Sequence, residues 1–216
     1  MNYITNNRLF TDSPLLGYGA VAAVAISLYT NYSVWLSIIV VLILIILIYF
    51  YRNPPIPIQA HSEVDVVAPS YGTVSRILRD LVANTVTLGI FLSPLDIHQQ
   101  YYPVDGTITN IVYDATGQFA LAFDMDKSRN NEKKIHTIST PRGDVKVTQI
   151  AGFLVRSIVS DDIVGQSVKA GTRFGMIKFG SRVDIELPQL DKLTLNVEVG
   201  SVLEGGSQII ASYSNV

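Results

Sequence analysis

Two kinds of hydrophobic patterning divide the chain. From Leu15 to Tyr29 and again from Val34 to Tyr51 the residues are apolar and carry no charge, a pattern that predicts helices surrounded by an apolar medium. The first run is rich in small residues (Gly17, Gly19, Ala20, Ala22, Ala23, Ala25), and the second is denser, with Ile38-Ile-Val-Val-Leu-Ile-Leu-Ile-Ile-Leu-Ile48 at its centre. The uncharged Thr30-Asn-Tyr-Ser33 between them predicts a turn, and the small residues of the first helix permit close approach of the second. The second run is about 18 residues, near the minimum for a spanning helix, and the first is shorter. The expectation is a transmembrane helical hairpin over 15–52, preceded by a polar tail over 1–14. Arg8 and Arg52 flank the hairpin, which places both its ends, and the domain that follows, on the cytoplasmic side of the cell membrane. Tyr49, Phe50 and Tyr51 suit the membrane–water boundary, where an apolar ring with a polar tip is at home.

Pro54, Pro55 and Pro57 stop any helix and form a stiff linker. Beyond them the period changes. Short β-branched runs recur between Gly, Pro, Asn and Asp: Val64–Val67, Thr73–Ile77, Thr85–Leu92, Thr107–Tyr113, Lys133–Thr140, Asp144–Ile150, Phe153–Ile158, Arg173–Lys178, Val183–Leu187, Leu193–Val197 and Gln208–Ala211. Such spacing predicts a mostly β domain over 53–216. Two near-repeats sharpen this. Ala68-Pro-Ser-Tyr-Gly-Thr-Val74 resembles Tyr102-Pro-Val-Asp-Gly-Thr-Ile108, and Gly165-Gln-Ser-Val-Lys-Ala-Gly171 loosely resembles Gly200-Ser-Val-Leu-Glu-Gly205. Each has the form of a tight turn beside a strand, and together they suggest a compact barrel or sandwich similar to biotinyl and lipoyl carrier domains. Asp124 to Lys134 is polar and charge-rich, which predicts a loop.

Composition narrows the function. The formal net charge is −2 and the pI about 5.9, so nothing electrostatic recommends a nucleic-acid partner. A mean hydropathy of +0.32 with only 16% charged residues points to a membrane instead. The absence of cysteine excludes disulfides, thiolate metal sites and a cysteine nucleophile, and no metal site is expected.

The most suggestive chemistry lies in Met176-Ile-Lys-Phe-Gly-Ser-Arg-Val-Asp-Ile-Glu-Leu-Pro188, where a Gly180-Ser181 bond separates two strand-like runs. Gly180 has no Cβ, so its carbonyl is open to approach and its backbone can enter conformations closed to other residues. The Ser181 hydroxyl is the group that could attack that carbonyl. His98 is the best proton-transfer candidate, because imidazole titrates near neutrality and the Asp96-x-His98 spacing sets a carboxylate close by. His61 and His136 read as surface residues. Arg182 is a candidate anion partner, and Asp184 suits either a local ion pair or the site.

The string Phe174-Gly-Met-Ile-Lys-Phe-Gly-Ser-Arg-Val-Asp184 resembles the processing site of the short, archaeal and bacterial type of phosphatidylserine decarboxylase. Three other stretches agree in order: Phe50-Tyr-Arg-Asn-Pro54; Phe91-Leu-Ser-Pro-Leu-Asp-Ile-His98 with Pro103-Val-Asp-Gly106; and Gln149-Ile-Ala-Gly152. The resemblance covers roughly residues 50 to 212 and implies self-cleavage between Gly180 and Ser181 into a large and a small chain. The former Ser181 then becomes a covalent pyruvoyl cofactor, a carbonyl that takes up the substrate amine and the electrons left by departing CO2. It implies phosphatidylserine, or its archaeal ether-lipid analogue, as substrate, and the ethanolamine lipid as product. It also gives His98 a part in decarboxylation; Arg182, on its own chemistry, is either a partner for the lipid phosphate or carboxylate or a solvated residue beside a strand. Where the family usually has an aspartate that helps activate the serine, this chain has Tyr71. Asp105 holds the equivalent place in the second turn and is the candidate to replace it. Tyr101 stands where longer bacterial enzymes have a second histidine. Two alternatives stay open: a membrane-tethered β adaptor without activity, and a relative that has lost processing.

Overall fold

A computed structural model describes residues 7–30, 34–56, 62–115, 131–152, 158–178 and 181–214. The chain divides into a helical unit, Met1–Pro55, and a β unit, Ile56–Val216.

In the helical unit a short helix α1 (Leu9–Asp12) leads into α2 (Pro14–Thr30) and α3 (Val34–Phe50). Pro14 opens α2 at the position where a missing N–H costs nothing. The Arg8 guanidinium meets the Asp12 carboxylate at 2.9 Å, and a hydrogen bond of 2.7 Å joins the Ser27 and Ser37 hydroxyls between α2 and α3. The hairpin is present, but its expected spanning character is corrected. Each helix has 17 residues, about 26 Å at 1.5 Å per residue, against a hydrocarbon core of about 30 Å. Among the described residues no helix is long and apolar enough to cross a membrane. Residues 31–33 of the expected turn lie outside the described residues. Apolar side chains nonetheless point outward all round, with Leu15 91% and Trp35 77% exposed.

The β unit is organised by a curled, fully antiparallel sheet of eight strands: β2 (Gly72–Asp80), β3 (Thr85–Leu92), β5 (Gly106–Asp114), β6 (Lys133–Thr140), β7 (Gly143–Ala151), β9 (Ser167–Val168), β11 (Ser181–Pro188) and β13 (Val202–Leu203). Their order is β13-β2-β3-β11-β7-β6-β5-β9, a half-barrel whose edge strands are not neighbours. Two three-stranded sheets accompany it. One contains β1 (Asp65–Val67), β14 (Ile209–Tyr213) and β12 (Leu193–Leu195), and the other β4 (Gln99–Tyr101), β10 (Arg173–Ile177) and β8 (Ile158–Ser160).

Strict alternation decides which face is the core. Val86, Leu88, Ile90 and Leu92 of β3, Val183, Ile185 and Leu187 of β11, and Val145 and Val147 of β7 all point inward and are buried. Each such side chain is worth roughly 1.5–3 kcal/mol of transfer free energy, so a slip of one residue would turn the whole apolar set outward.

The two turn repeats enter β2 and β5. Gly72 has φ +134, and a Cβ there would lie 2.3 Å from the Phe91 carbonyl oxygen; one on Gly106 would lie 2.5 Å from that of Ser139. Both glycines therefore exist to let a turn pass against the neighbouring strand. Of the charge-rich stretch expected as a loop, 124–130 lie outside the described residues, and Lys133 and Lys134 begin β6.

Candidate active site

The register fixes Ser181 first. It is the first residue of β11, paired with Leu92 on one side and Ala151 on the other. Paired residues share a face, so Ser181 points into the half-barrel in line with Val183, Ile185 and Leu187. It is fully buried, and its Oγ has no hydrogen-bond partner among the described residues. A buried hydroxyl without a partner carries a desolvation cost, and none of the described residues offsets it with a hydrogen bond. Gly180, the other half of the expected cleavage site, lies outside the described residues, as does His61.

His98 is also fully buried. Its Nδ1 lies 2.9 Å from the Asp96 carbonyl oxygen, which can only accept, so Nδ1 carries the proton and Nε2 is the basic nitrogen of the neutral ring. The expected carboxylate partner is not what orients it: Asp96 Oδ2 instead accepts the Ser93 amide at 2.7 Å and closes a turn. His98 leads directly into β4, whose Gln99 pairs with Met176 of β10, and β10 ends at Ile177, four positions before Ser181. The two residues are thereby delivered to the same end of the curled sheet. Gln149, from the Gln-Ile-Ala-Gly stretch, pairs with Val183 and so sits diagonally from Ser181 on the inner face, at about 7 Å between backbones. Its Nε2 donates to Gln100 Oε1 at 2.8 Å, and Gln100 Nε2 donates to the His98 carbonyl at 2.7 Å.

Arg182 falls on the opposite face of β11. It is 1% exposed and ion-paired with Asp184 at 2.9 Å, which Arg76 also approaches at 3.4 Å. Asp184 therefore serves a buried local cluster, and the Arg182 side chain is directed away from Ser181.

Tyr71 and Asp105 part company. Thr73 pairs with Phe91, so Tyr71 lies near the Leu92–Ser181 row, about 10 Å along the sheet. Its ring meets that of Tyr101 edge to face at 6.3 Å. Burial above all, and then Tyr71, push the Tyr101 hydroxyl above its ordinary pKa, which Arg173 partly offsets. Asp105 is exposed and accepts the Ala170 amide at 2.7 Å. It lines a cavity of about 240 Å³ with Glu63, Asp65, Arg142 and Tyr213, and Tyr213 Oη donates to the Pro188 carbonyl at 3.0 Å. Pro188 and Ser181 are opposite ends of β11, about 23 Å apart at 3.3 Å per residue. Asp105 is thus not brought to Ser181.

His136 requires a further correction. Expected on the surface, it is fully buried, because it falls at the inward position of β6 in phase with Ile138. Its ring packs on Phe174 at 4.9 Å, its Nε2 lies 2.9 Å from Gln149 Oε1, and its Nδ1 hydrogen-bonds Asp162. Lys134 Nζ lies 3.3 Å from the same carboxylate. Burial raises the pKa of Asp162, but the hydrogen bond and charge of His136, with Ser160 and Lys134, outweigh it and hold the carboxyl well below the usual range. Sequence reading missed His136, Gln100 and Asp162. The available signal was the alternation Lys134-x-His136-x-Ile138.

Residues 43–211 match the family model for phosphatidylserine decarboxylase. A phosphatidylserine decarboxylase proenzyme of Chlorobium phaeobacteroides is 39% identical over 206 residues, covering 93% of this chain and 85% of that one. The proenzyme of Chlorobaculum parvum is 36% identical over 198 residues, 89% and 83% of the two chains. That of the Wolbachia of Brugia malayi is 36% identical over 175 residues, 76% and 74%. The half-barrel with a buried serine opening its central strand is therefore that of a decarboxylase, and the chain belongs to the phosphatidylserine decarboxylase family.

Proposed function

We propose that this chain is a self-processing, pyruvoyl-dependent decarboxylase acting on phosphatidylserine or an ether-lipid analogue of it. The observation that carries the reading is Ser181: a buried hydroxyl without a hydrogen-bond partner among the described residues, at the inward first position of β11. Attack of Oγ on the Gly180 carbonyl carbon moves the acyl group from nitrogen to oxygen. Elimination across the resulting ester releases a large chain ending at Gly180 and leaves a dehydroalanine heading the small chain at position 181, whose hydrolysis by one water expels ammonia and leaves the pyruvoyl carbonyl. The flanks of position 181, Leu92 and Ala151, suit a pyruvoyl group, since they are apolar and offer no competing nucleophile. When formed, the group supplies a carbonyl that accepts the electrons released with CO2.

The remaining work falls to the chain's own side chains. His98, with its proton fixed on Nδ1, presents Nε2 as the base or, once protonated, as the acid that returns a proton to the product carbon. In this reading Asp105 has no part, and Arg182 acts through Asp184 to brace β11 from behind. The helical hairpin seats in the cell membrane from the cytoplasmic side without crossing it, its outward apolar side chains taking the place of a spanning anchor. A lipid substrate then reaches the β unit at the interface.

Intact mass with and without borohydride tests the proposal. Two fragments meeting at Gly180–Ser181, the smaller reducible at its first residue, are expected from the wild-type chain, and one uncleaved species without decarboxylase activity from Ser181→Ala. A wild-type chain that stays whole on incubation with phospholipid vesicles, or a Ser181→Ala chain that still decarboxylates, sinks it.

A further inference from the structure

The buried polar groups behind Ser181 form a chain whose direction can be worked out from one end. The His98 carbonyl can only accept, so Gln100 must turn its Nε2 toward it, at 2.7 Å. That leaves Gln100 Oε1 facing Gln149, which must answer with its own Nε2, at 2.8 Å. Gln149 Oε1 is then fixed toward His136 Nε2, at 2.9 Å, and that nitrogen must carry a proton. On the far side of the ring, His136 Nδ1 faces Asp162, whose carboxylate is an acceptor when ionised. Both ring nitrogens are therefore donors. The other groups around the ring agree: Phe174 lies against it at 4.9 Å, and Lys134, on the same strand, approaches Asp162 at 3.3 Å. His136, Gln100, Gln149 and the Asp162 carboxyl are all withdrawn from water, so no solvent exchange relaxes the pattern.

We propose that His136 is held as a buried imidazolium, and that the Asp162–His136–Gln149–Gln100 chain is the positioning element that fixes His98 against the strand bearing Ser181. The geometry of Gly175 supports a strut rather than chance packing. A Cβ at this β10 position would lie 2.5 Å from the Val159 carbonyl oxygen and 3.1 Å from Gln149 Nε2, so the backbone of β10 gives way where the glutamine crosses. The protonation state stands on hydrogen-bond direction and on an Asp162 carboxylate kept ionised beside Lys134, whereas the effect on turnover rests on the decarboxylase reading above.

Two measurements on the full chain in detergent separate these parts. Nitrogen-15 NMR of the wild-type histidine rings at neutral pH should show both His136 nitrogens protonated; one unprotonated ring nitrogen at His136 overturns the proposal. In Gln149→Glu, nearly the same shape, a carboxylate faces Gln100 Oε1, acceptor against acceptor, and the chain loses its direction. The His98 ring resonances should shift, and kcat should fall about 100-fold with KM little changed, as expected when a reacting group is misplaced without loss of binding. Unchanged His98 resonances overturn the positioning role whether or not the protein turns over. Resonances displaced in Gln149→Glu, when the wild-type chain itself never decarboxylates, uphold the strut and condemn the function assigned to it.

Discussion

The two similar turns, Ala68–Val74 and Tyr102–Ile108, have the same local plan and opposite surroundings. In each, a Cβ on the glycine would lie within 2.5 Å of a carbonyl oxygen of the next strand, that of Phe91 or of Ser139. The first turn opens β2 beside the Leu92–Ser181 row, and the second opens β5 beside Thr140 and the Pro188 end of β11. The residue before the glycine is Tyr71 in a buried aromatic contact in one case, and Asp105 at the rim of a solvent-facing cavity in the other. Equivalent sequence therefore fixes equivalent turns, but register alone decides which of them meets Ser181. A carboxylate at the right place in a repeat is no substitute for one at the right end of a strand.

The harshest way to break this comparison is Gly72→Ala. At φ +134, with the new carbon 2.3 Å from a backbone oxygen, strain and overlap together should cost about 4 kcal/mol. Because the turn abuts the Ser181 row, thermal unfolding and the rate of chain cleavage should suffer together. A variant that melts like the wild type would mean that the turn does not hold the site.

Next in size is Asp162→Asn, which removes the anion shared by His136 and Lys134. Breaking a buried pair from one side costs about 3 kcal/mol, expected as a lower melting temperature at neutral pH. The pH dependence has a definite sign. The folded-state pKa of Asp162 is depressed, so its contribution is present above the unfolded value and is lost as pH falls below about 4. Melting temperature against pH should therefore drop less steeply on the acid side in the Asn variant. An unchanged slope would show that the carboxylate is not stabilised by the fold.

Much of the fold was legible because alternation is a local signal. Thr85–Leu92 and Lys133–Thr140 appear as strands with the bounds their patterns predict. Gln99–Tyr101 does not read as a strand, since two glutamines and a tyrosine carry no apolar period, yet β4 is what carries His98 into place. The hairpin was legible as two apolar runs, but not its length: Pro14 and Phe50 bound helices of 17 residues each, and a difference of a few ångströms separates a spanning helix from a shorter one. At the site, Ser181 and His98 were visible because a hydroxyl after glycine and an imidazole after Asp-x are chemical patterns in one stretch of chain. His136 was not, because its partners Gln149 and Asp162 are 13 and 26 positions away, and its phase with Ile138 marks it as inward without naming what it meets there. Arg182 misled for the same reason. It adjoins Ser181 in sequence, and in a strand the adjacent residue faces the other way.

The smallest effect, and the sharpest test of the comparison, is expected from Asp105→Asn. The amide keeps an oxygen that can accept the Ala170 N–H, and the residue is exposed, so stability should change by less than about 0.5 kcal/mol. If position along β11 decides which turn serves the serine, removing this charge near the Pro188 end of the sheet should leave the cleavage rate within about twofold of wild type, because an exposed carboxylate away from the reacting atoms is screened by solvent and salt. The rate is read from the appearance of the small chain in a time course of intact mass. Loss of cleavage in this variant, with melting temperature unchanged, would mean that Asp105 does act on Ser181. The end-to-end separation of the two turns would then not describe the form of the protein that processes itself.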